Sequence, residues 1–313
     1  MRFEKYHGTG NDFVFVEDLD AELDLDPSLV VAVCDRHRGV GADGLIRIVR
    51  GDVWDAGAGH GTDPAFRGGE FFMDHYNADG LTAEMCGNGI RCLAKFVRER
   101  GLTDRSEIVV GTRAGERRLA LDVRDGVVRR VTVDMGAPAF ERKAIPMTGE
   151  PTDTFELQPL EAAGRTYTAT ALSMGNPHCV LFLEPGEDLA GYDVAGVGRT
   201  IELRDDLFPS KVNVEFVQVV DDGRIRMRVW ERGVGETMAC GTGACAAAAA
   251  CAASGRTGRR VRVDIPGGRL DIDWRDDDRV DMTGPATFVF AGELSPGWAR
   301  DAGVRLPAKA GSR

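Results

Sequence analysis

The stretch that decides the fold is ACGTGACAAAAACAA at residues 239–253, and it has a counterpart, MCGNGIRCLAKFV, at residues 85–97. Both stretches contain Cys-Gly-x-Gly, which begins at Cys240 in one and at Cys86 in the other. Every residue from Ala244 to Ala253 is Ala or Cys. A helix with small apolar side chains all round is typical of one that other elements enclose on every side.

A second helix is expected after Cys86, because Ile90, Leu93, Ala94 and Val97 recur at helical spacing. Most of the remaining chain alternates apolar and polar residues, which is typical of antiparallel strands with one face in water. Val212, Val214 and Phe216, for example, alternate with Asn213 and Glu215. We therefore predict an α+β fold in which each of two helices is threaded through a strongly curved sheet or barrel.

The two Cys-Gly-x-Gly motifs belong to a longer internal repeat. A polar residue at a strand end lies nine positions before each cysteine, Asn77 in one half and Glu231 in the other. Further upstream, a Gly-Asn pair precedes an apolar strand in both halves, at Gly10-Asn11 and at Gly175-Asn176. Similar halves pack naturally about a pseudo-twofold axis, so we expect both cysteines to meet in a cleft between two lobes.

This arrangement suits the inversion of a carbon centre. A cysteine at a helix start lies beside free N–H groups and the positive end of the helix dipole, which we expect to lower its pKa. The glycines let a ligand approach the backbone, and a carboxylate there could accept N–H bonds from both helices. One thiolate would then remove an α-proton while the opposite thiol supplies another.

Composition narrows the classes of function. The 313 residues suffice for two domains, and the net charge of −11 argues against a nucleic-acid partner. No signal peptide or bilayer-spanning run is evident, and the seven cysteines form no Cys-x-x-Cys pair. We expect a cytoplasmic protein with reduced thiols, no membrane partner, no metal and no cofactor.

The motifs resemble those of the diaminopimelate epimerase family over nearly the whole chain. Seven segments in matching order carry the resemblance: His7–Phe13, Cys34–Gly44, Asn77–Gly80, Met85–Gly89, Gly175–His178, Glu231–Gly233 and Ala239–Gly243. The family implies two pseudo-symmetric α/β lobes, each a curved, mostly antiparallel sheet around a central helix. We place the first lobe at 1–136, completed by a last strand at about 284–296, the second at 137–283, and a loosely ordered tail at 297–313.

The resemblance implies an isomerase that interconverts LL- and meso-diaminopimelate on the route to lysine and peptidoglycan. It makes Cys86 and Cys240 the acid/base pair and puts His178 and Glu231 near them. The backbone of four residues would hold the reacting carboxylate, namely Gly87, Asn88, Gly241 and Thr242. The rest of the amino-acid substrate would be bound by Asn11, Asn77, Asn176, Asn213, Glu231 and Arg232. A homodimer is left open.

The chain departs from the family at Gly44, where some members have a glutamine that contacts substrate. The segment Gly51–Gly69 is rich in glycine and is expected to be a long loop. Gly39 to Gly44 matches the dinucleotide pattern Gly-x-Gly-x-x-Gly, but it follows a charged segment, so we interpret it as a structural loop. The remaining five cysteines, and also His37, His60 and His75, are interpreted as structural.

Three other functions are kept as alternatives. A related two-cysteine racemase of proline or hydroxyproline would leave Glu231 and Arg232 without a role, because such substrates have no distal charged end. A redox sensor would use Cys86 and Cys240 as a reversible disulfide, but would not need a glycine cradle at both sulfurs. A binding module for amino acids would tolerate serine at both cysteines.

Overall fold

The computed structural model describes residues 1–58 and 69–307 of the chain. Two compact units are present: one joins Met1–Val133 to the chain from Pro285 onward, and the other is Asp134–Gly284. Both units are built from many strands and few helices. The α+β class predicted from the sequence is therefore confirmed.

The first unit contains seven strands from the beginning of the chain. They are β1 (Arg2–Gly8), β2 (Asn11–Glu17), β3 (Gly44–Arg50), β4 (Phe71–Asn77), β5 (Glu107–Gly111), β6 (Arg117–Arg124) and β7 (Val127–Asp134). Each strand pairs with the next along the chain. The pairings β2–β3 and β4–β5 are parallel, and the other four are antiparallel.

The second unit contains nine strands. They are β8 (Phe155–Ala162), β9 (Arg165–Ser173), β10 (Pro177–Phe182), β11 (Asn213–Asp221), β12 (Arg224–Glu231), β13 (Gly235–Thr237), β14 (Arg260–Ile265), β15 (Gly268–Trp274) and β16 (Val280–Gly284). The pairings β10–β11 and β12–β14 are parallel. The pairings β8–β9, β9–β10, β11–β12, β14–β15 and β15–β16 are antiparallel, and the short β13 pairs with the end of β12.

A last strand, β17 (Thr287–Glu293), pairs antiparallel with β1 and so belongs to the first unit. With β17 in place, both units have the same succession of pairings: two antiparallel, one parallel, one antiparallel, one parallel and two antiparallel. The internal repeat in the sequence is thus also a repeat in topology. Within the described residues the strands do not close into a barrel. Of the two predicted forms, a curved sheet or a barrel, the sheet is confirmed and the barrel is wrong.

The described residues form six α-helices. They are α1 (Pro27–Cys34), α2 (Gly51–Val53), α3 (Gly87–Glu99), α4 (Val194–Glu202), α5 (Gly241–Ala253) and α6 (Pro296–Asp301). The two helices that follow the Cys-Gly-x-Gly motifs, α3 and α5, are the longest, with 13 residues each. No helix in this part of the chain has the length and apolar character needed to cross a membrane.

The helix α5 is enclosed by the strands of its own unit, as its composition predicts. All its residues from Gly243 to Cys251 are buried, and the helix lies against β9 to β12 and β14 to β16. Alanine is the best helix former and carries a single methyl group, so strands can approach this helix from every direction. Helix α3 is buried in the same way from Gly87 to Val97 and lies against β1, β2 and β6.

Strand β11 differs from the expectation of one wet face. Its residues Asn213–Val217 are all buried, including Glu215. Both α4 and α5 contact β11, and β10 and β12 flank it, so neither of its faces reaches water over this range. The alternation of apolar and polar residues here marks a buried polar cluster, and the prediction of a solvated face is wrong for this segment.

Two segments are more ordered than expected. The long loop predicted for Gly51–Gly69 begins instead with α2 and a π-helix at Trp54–Ala58, and the Trp54 ring stacks on Phe72 with 3.6 Å between centroids. Residues 59–68 of that prediction lie outside the described residues. The loosely ordered tail predicted from 297 contains α6, where the Trp298 indole N–H donates to the Arg38 carbonyl oxygen at 2.8 Å.

Candidate active site

Cys86 caps helix α3 with its own side chain. Its backbone is extended, with φ −135° and ψ 117°, and the helix begins at the next residue. The N–H of Gly89 donates to the Cys86 Sγ at 3.4 Å, so sulfur takes the place of the usual capping oxygen. The half-buried thiol donates in turn to Asn11 Oδ1 at 3.6 Å.

Cys240 caps helix α5 in the same manner. Its φ is −117° and its ψ is 115°, and the Gly243 N–H donates to Sγ at 3.3 Å. The Thr242 hydroxyl lies 3.4 Å from the sulfur. Both helix starts predicted from the Cys-Gly-x-Gly motifs are therefore confirmed, but Cys240 is buried whereas Cys86 is partly exposed.

The residues in the strands near the two cysteines occupy matching register positions in the two units. Phe13 in β2 pairs with the first residue of β3, and His178 in β10 pairs with the first residue of β11. Ile46 and Glu215 occupy the third position of those second strands. A phenylalanine and an isoleucine in the first unit thus correspond to a histidine and a glutamate in the second.

His178 and Glu215 form a buried pair in the second unit. Both side chains are inaccessible to solvent, and His178 Nδ1 lies 2.6 Å from Glu215 Oε1. The other ring nitrogen, Nε2, lies 2.9 Å from Asn176 Oδ1. Burial raises the pKa of Glu215, and the neighbouring His178 opposes that rise. Glu215 was not among the predicted site residues, because the alternation in its strand indicated a solvated polar face.

The pKa of Cys240 differs from the sequence-based expectation. Burial raises it well above the usual value for a thiol, and the nearby Glu231 and Glu215 raise it further. Hydrogen bonds from Thr242 and from the Gly243 N–H lower the pKa, but the net shift is upward. The prediction that the helix start lowers this pKa is therefore wrong for Cys240, since loss of hydration and two carboxylates outweigh one helix terminus.

Glu231 lies at the end of β12 next to Cys240. Its carboxylate accepts hydrogen bonds from the Thr237 hydroxyl and the Cys240 thiol. Burial raises the pKa of Glu231 despite these bonds. Glu231 thus lies beside the cysteine, where the family resemblance puts it, and Thr237 is an additional contact that no motif indicated.

In the first unit a chain of hydrogen bonds orients the amide groups beside Cys86. Asn11 Nδ2 donates to Asp43 Oδ2 at 2.7 Å, which turns the Asn11 oxygen toward the thiol and toward Asn88 Nδ2, 3.1 Å away. Arg91, which is fully buried, donates from Nη2 to Asn88 Oδ1 at 3.0 Å. Asp43 and Arg91 were not predicted, although an arginine inside an otherwise apolar helix face was a visible signal.

Asn213 and Arg232 are hydrogen-bonded to each other. The Arg232 backbone N–H donates to Asn213 Oδ1 at 2.9 Å, and Asn213 Nδ2 donates to the Pro177 carbonyl oxygen at 2.8 Å. The Arg232 side chain is exposed and its Nη1 donates to the Ser210 carbonyl oxygen at 3.0 Å. The Asn213 amide is buried and bound at both ends, so it orders the backbone here whatever else it contacts.

The remaining predicted residues occupy the helix starts and strand ends. Gly87 and Gly241 open α3 and α5, where the first N–H groups of a helix have no partner within it. Asn77 is exposed at the end of β4. At Gly44, a Cβ atom would lie 2.6 Å from the Tyr76 carbonyl oxygen and 3.0 Å from His75 Nε2, so a glutamine in this chain would require the Tyr76 backbone to shift.

The five cysteines and His75, interpreted as structural, are buried, whereas His37 is exposed. His75 is buried, and burial together with the charge of Arg113 lowers its pKa to about 4. His7 Nδ1 accepts the Gly10 N–H at 3.3 Å within the β1–β2 turn, whereas His60 lies outside the described residues. Five further cysteines are buried: Cys34, Cys92, Cys179, Cys245 and Cys251. Across residues 1–58 and 69–307, no three His, Cys, Asp or Glu side chains converge as metal ligands.

Comparison with known proteins reveals close relatives in sequence. The family model for diaminopimelate epimerase matches residues 3–141 and 170–289. The diaminopimelate epimerase of Pelotomaculum thermopropionicum is 46% identical over 295 residues, which cover 94% of this chain and 98% of that protein. The diaminopimelate epimerase of Methanococcus maripaludis is 41% identical over 295 residues, covering 94% and 99% of the two chains.

Solved structures share the fold at low identity. A phenazine biosynthesis protein of the PhzF family from Bacillus anthracis matches with a TM-score of 0.64 at 15% identity, covering 94% of this chain and 99% of that one. A hydroxyproline epimerase from Agrobacterium vitis, with bound trans-4-OH-L-proline, matches with a TM-score of 0.59 at 17% identity and 97% and 98% coverage. At such identities the likeness establishes the fold. The sequence matches go further, and they show that this chain belongs to the diaminopimelate epimerase family.

Proposed function

We propose that the protein interconverts LL- and meso-diaminopimelate by moving a proton across the α-carbon between Cys86 and Cys240, without a cofactor. The observation that carries the proposal is the duplicated cap, in which each thiol accepts the N–H of the glycine three positions on, at a buried glycine-rich helix start. A carboxylate bound by the first-turn N–H groups would place its α-carbon beside a sulfur. The reaction requires that the two thiols approach that carbon from opposite faces.

The N–H groups also have a chemical role in the proposed reaction. Removal of the α-proton puts negative charge on the carboxylate oxygens, and donors aimed at those oxygens stabilise the transition state more than the ground state. The residues proposed for this are Gly87 and Asn88 in α3 and Gly241 and Thr242 in α5. Glycine at the first helical position, Gly87 in α3 and Gly241 in α5, keeps side chains away from the bound group.

The rest of the substrate would be held by polar groups with complementary charge. Arg232 presents an exposed guanidinium that can bind a distal carboxylate with two hydrogen bonds. Glu231 can pair with an ammonium group, and the amides of Asn11, Asn77 and Asn176 supply further polar contacts. Asn213 would contribute chiefly through the Arg232 backbone that it holds.

Protonation states support a division of labour between the thiols. The raised pKa of Cys240 keeps it as a thiol in the free protein, so it is suited to donate the incoming proton. Its hydrogen bond to Glu231 orients that proton, and His178 with Glu215 lies close by. In the direction in which Cys240 donates the proton, Cys86 would act as the base. The two roles exchange when the reaction runs in reverse.

The proposal is tested by incubating the reduced protein with LL-diaminopimelate in D₂O, with proline as the alternative substrate. Cα deuterium would be followed by NMR and the isomer ratio by chiral chromatography. We expect deuterium uptake with conversion to the meso form, and a loss of roughly 10²- to 10⁴-fold in both Cys86→Ala and Cys240→Ala. Cys251→Ala is the matched control, because it removes a buried thiol from the same helix as Cys240.

Two results would contradict the proposal in different ways. Exchange on proline but not on diaminopimelate would keep the two-thiol chemistry and exclude the substrate. Exchange on neither, with the thiols confirmed as reduced, would exclude the epimerase and favour a redox or binding role.

We also propose that the protein works in the cytoplasm as a homodimer and binds no nucleic acid. Seven free cysteines are typical of a reducing compartment, and the net charge of −11 disfavours phosphate binding. Support for a dimer comes from Phe288, Val289 and Phe290, which are consecutive exposed apolar residues in β17. Light scattering of the purified protein tests the dimer, since a monomer mass would exclude it.

A further inference from the structure

We propose that Glu202, the last residue of α4, is a positioning residue that holds the turn carrying Glu231 and Arg232. The inference deepens the proposed function, because it rests on Arg232 binding the distal end of the substrate. No motif of the sequence and no role considered above includes Glu202. Its side chain is 7% exposed, which is rare for a glutamate unless its oxygens are bound.

Both carboxylate oxygens of Glu202 are used on this turn. Oε2 accepts the indole N–H of Trp230 at 2.7 Å, and Oε1 accepts the backbone N–H of Gly233 at 2.8 Å. The bonds therefore reach the residue before Glu231 and the residue after Arg232. Lys211 Nζ lies 4.0 Å from Oε1 and places a positive charge beside the buried carboxylate.

The turn itself is tight and is held from a second side. Gly233 has a φ of +74°, and the Val234 N–H donates to the Glu231 carbonyl oxygen at 3.0 Å. The Arg232 N–H donates to Asn213 Oδ1 in β11 at 2.9 Å. Two adjacent backbone N–H groups are thus bound by buried side chains from two different elements, and the Arg232 side chain starts from a fixed point.

The Trp230 side chain is already held in place by packing, so the hydrogen bond to its indole N–H does not explain why a glutamate is buried here. A Cβ atom at Gly198 of α4 would lie 2.5 Å from the Trp230 Cβ, which means that the helix and this side chain are in close contact. The Gly233 N–H, in contrast, depends on Glu202 for the bond described. We conclude that the carboxylate serves the backbone next to Arg232.

Kinetics of Glu202→Ala, Glu202→Gln and Trp230→Phe on diaminopimelate test the inference. Because the Glu202 carboxylate holds the Gly233 N–H with a charge-assisted hydrogen bond, Glu202→Ala is expected to raise KM about 10- to 100-fold. The kcat of this variant should change little, because the thiols are untouched. Trp230→Phe, the matched control, removes the indole N–H together with part of the ring, leaves the Gly233 bond in place, and is expected to leave KM unchanged. Glu202→Gln keeps one acceptor and should fall between the wild type and Glu202→Ala.

A double-variant cycle separates positioning of Arg232 from general damage. If Glu202 acts through Arg232, the double variant Glu202→Gln/Arg232→Lys will raise KM by a smaller factor than the product of the two single-variant factors. Multiplicative increases, or a loss confined to kcat, would overturn the inference while leaving the proposed epimerase intact. A wild-type protein without turnover of diaminopimelate would overturn both. Glu202→Gln carries the test if circular dichroism shows that Glu202→Ala does not fold.

Discussion

The two cysteines are alike in backbone and different in surroundings. Each caps a helix and accepts the N–H of the glycine three positions on, so the Cys-Gly-x-Gly motif gives both cysteines the same local geometry. Cys86 donates to a neutral amide, whereas Cys240 is buried against Glu231 and near Glu215. A carboxylate and loss of water both disfavour a thiolate, and this asymmetry has a measurable consequence.

Alkylation by iodoacetamide should distinguish the two thiols. Because the raised pKa of Cys240 leaves little thiolate at neutral pH, we expect Cys240 in Cys86→Ala to react at least about 10-fold more slowly at pH 7 than Cys86 in Cys240→Ala. Its rate should keep rising with pH beyond the usual thiol range, since thiolate forms only as the pH passes the raised pKa. Peptide mass spectrometry measures both rates, and a plateau for Cys240 below pH 8 would contradict the assignment.

At the level of elements, the starts of α3 and α5 show how one motif can tolerate different neighbours. A methyl group added at Gly89 would lie 2.7 Å from Ile46 Cδ1, the end of a flexible side chain. A methyl group at Gly243 would lie 2.7 Å from Glu215 Oε1 and 3.2 Å from the Cys240 sulfur. Glu215 is held by His178, so it cannot move aside as Ile46 can.

Alanine substitution at the two positions should therefore have unequal effects. We expect Gly243→Ala to lower kcat/KM about 100-fold, the loss typical of a catalytic group displaced by about an ångström. Gly89→Ala, its matched control, should change kcat/KM little and gain up to about 1 kcal/mol from helix propensity. Steady-state kinetics and thermal unfolding of both variants give the comparison. Equal losses in activity would mean that the buried carboxylate does not set the geometry at Cys240.

At the level of the whole molecule, the chain returns from the second unit to complete the first. Strand β17 pairs with β1 along its length, from Arg2↔Glu293 to His7↔Thr287. Gly292 lies against Phe3, because a Cβ atom there would be 2.6 Å from the Phe3 ring. The stability of the first unit should thus depend on residues that follow the entire second unit in sequence.

Gly292→Val tests this dependence, with Ala291→Val as the matched control on an exposed position of the same strand. Overpacking against Phe3 should destabilise the first unit by about 1–3 kcal/mol. Hydrogen exchange followed by mass spectrometry should then show faster exchange in β1 and β17 and no change in β8 to β16. Faster exchange throughout both units would show instead that the chain unfolds as one body.

Much of the fold was predictable because the relevant signals are local. The helix starts at Cys86 and Cys240 and the helical spacing from Ile90 to Val97 follow from turn chemistry and side-chain periodicity. Segments without such signals were predicted less well. The glycine-rich start of the Gly51–Gly69 segment is helical because Trp54 stacks on Phe72, a contact that no local pattern reveals.

The sequence by itself determined the two glycine-rich helix starts, the duplicated order of elements and the cysteines that cap them, because these depend on neighbours along the chain. Tertiary structure alone decided which groups surround each cysteine. His178 and Glu215 are 37 positions apart and meet through the parallel register of β10 and β11. Burial by those strands, and not the helix start, sets the direction of the Cys240 pKa shift, because an ion loses more from dehydration than one helix terminus returns.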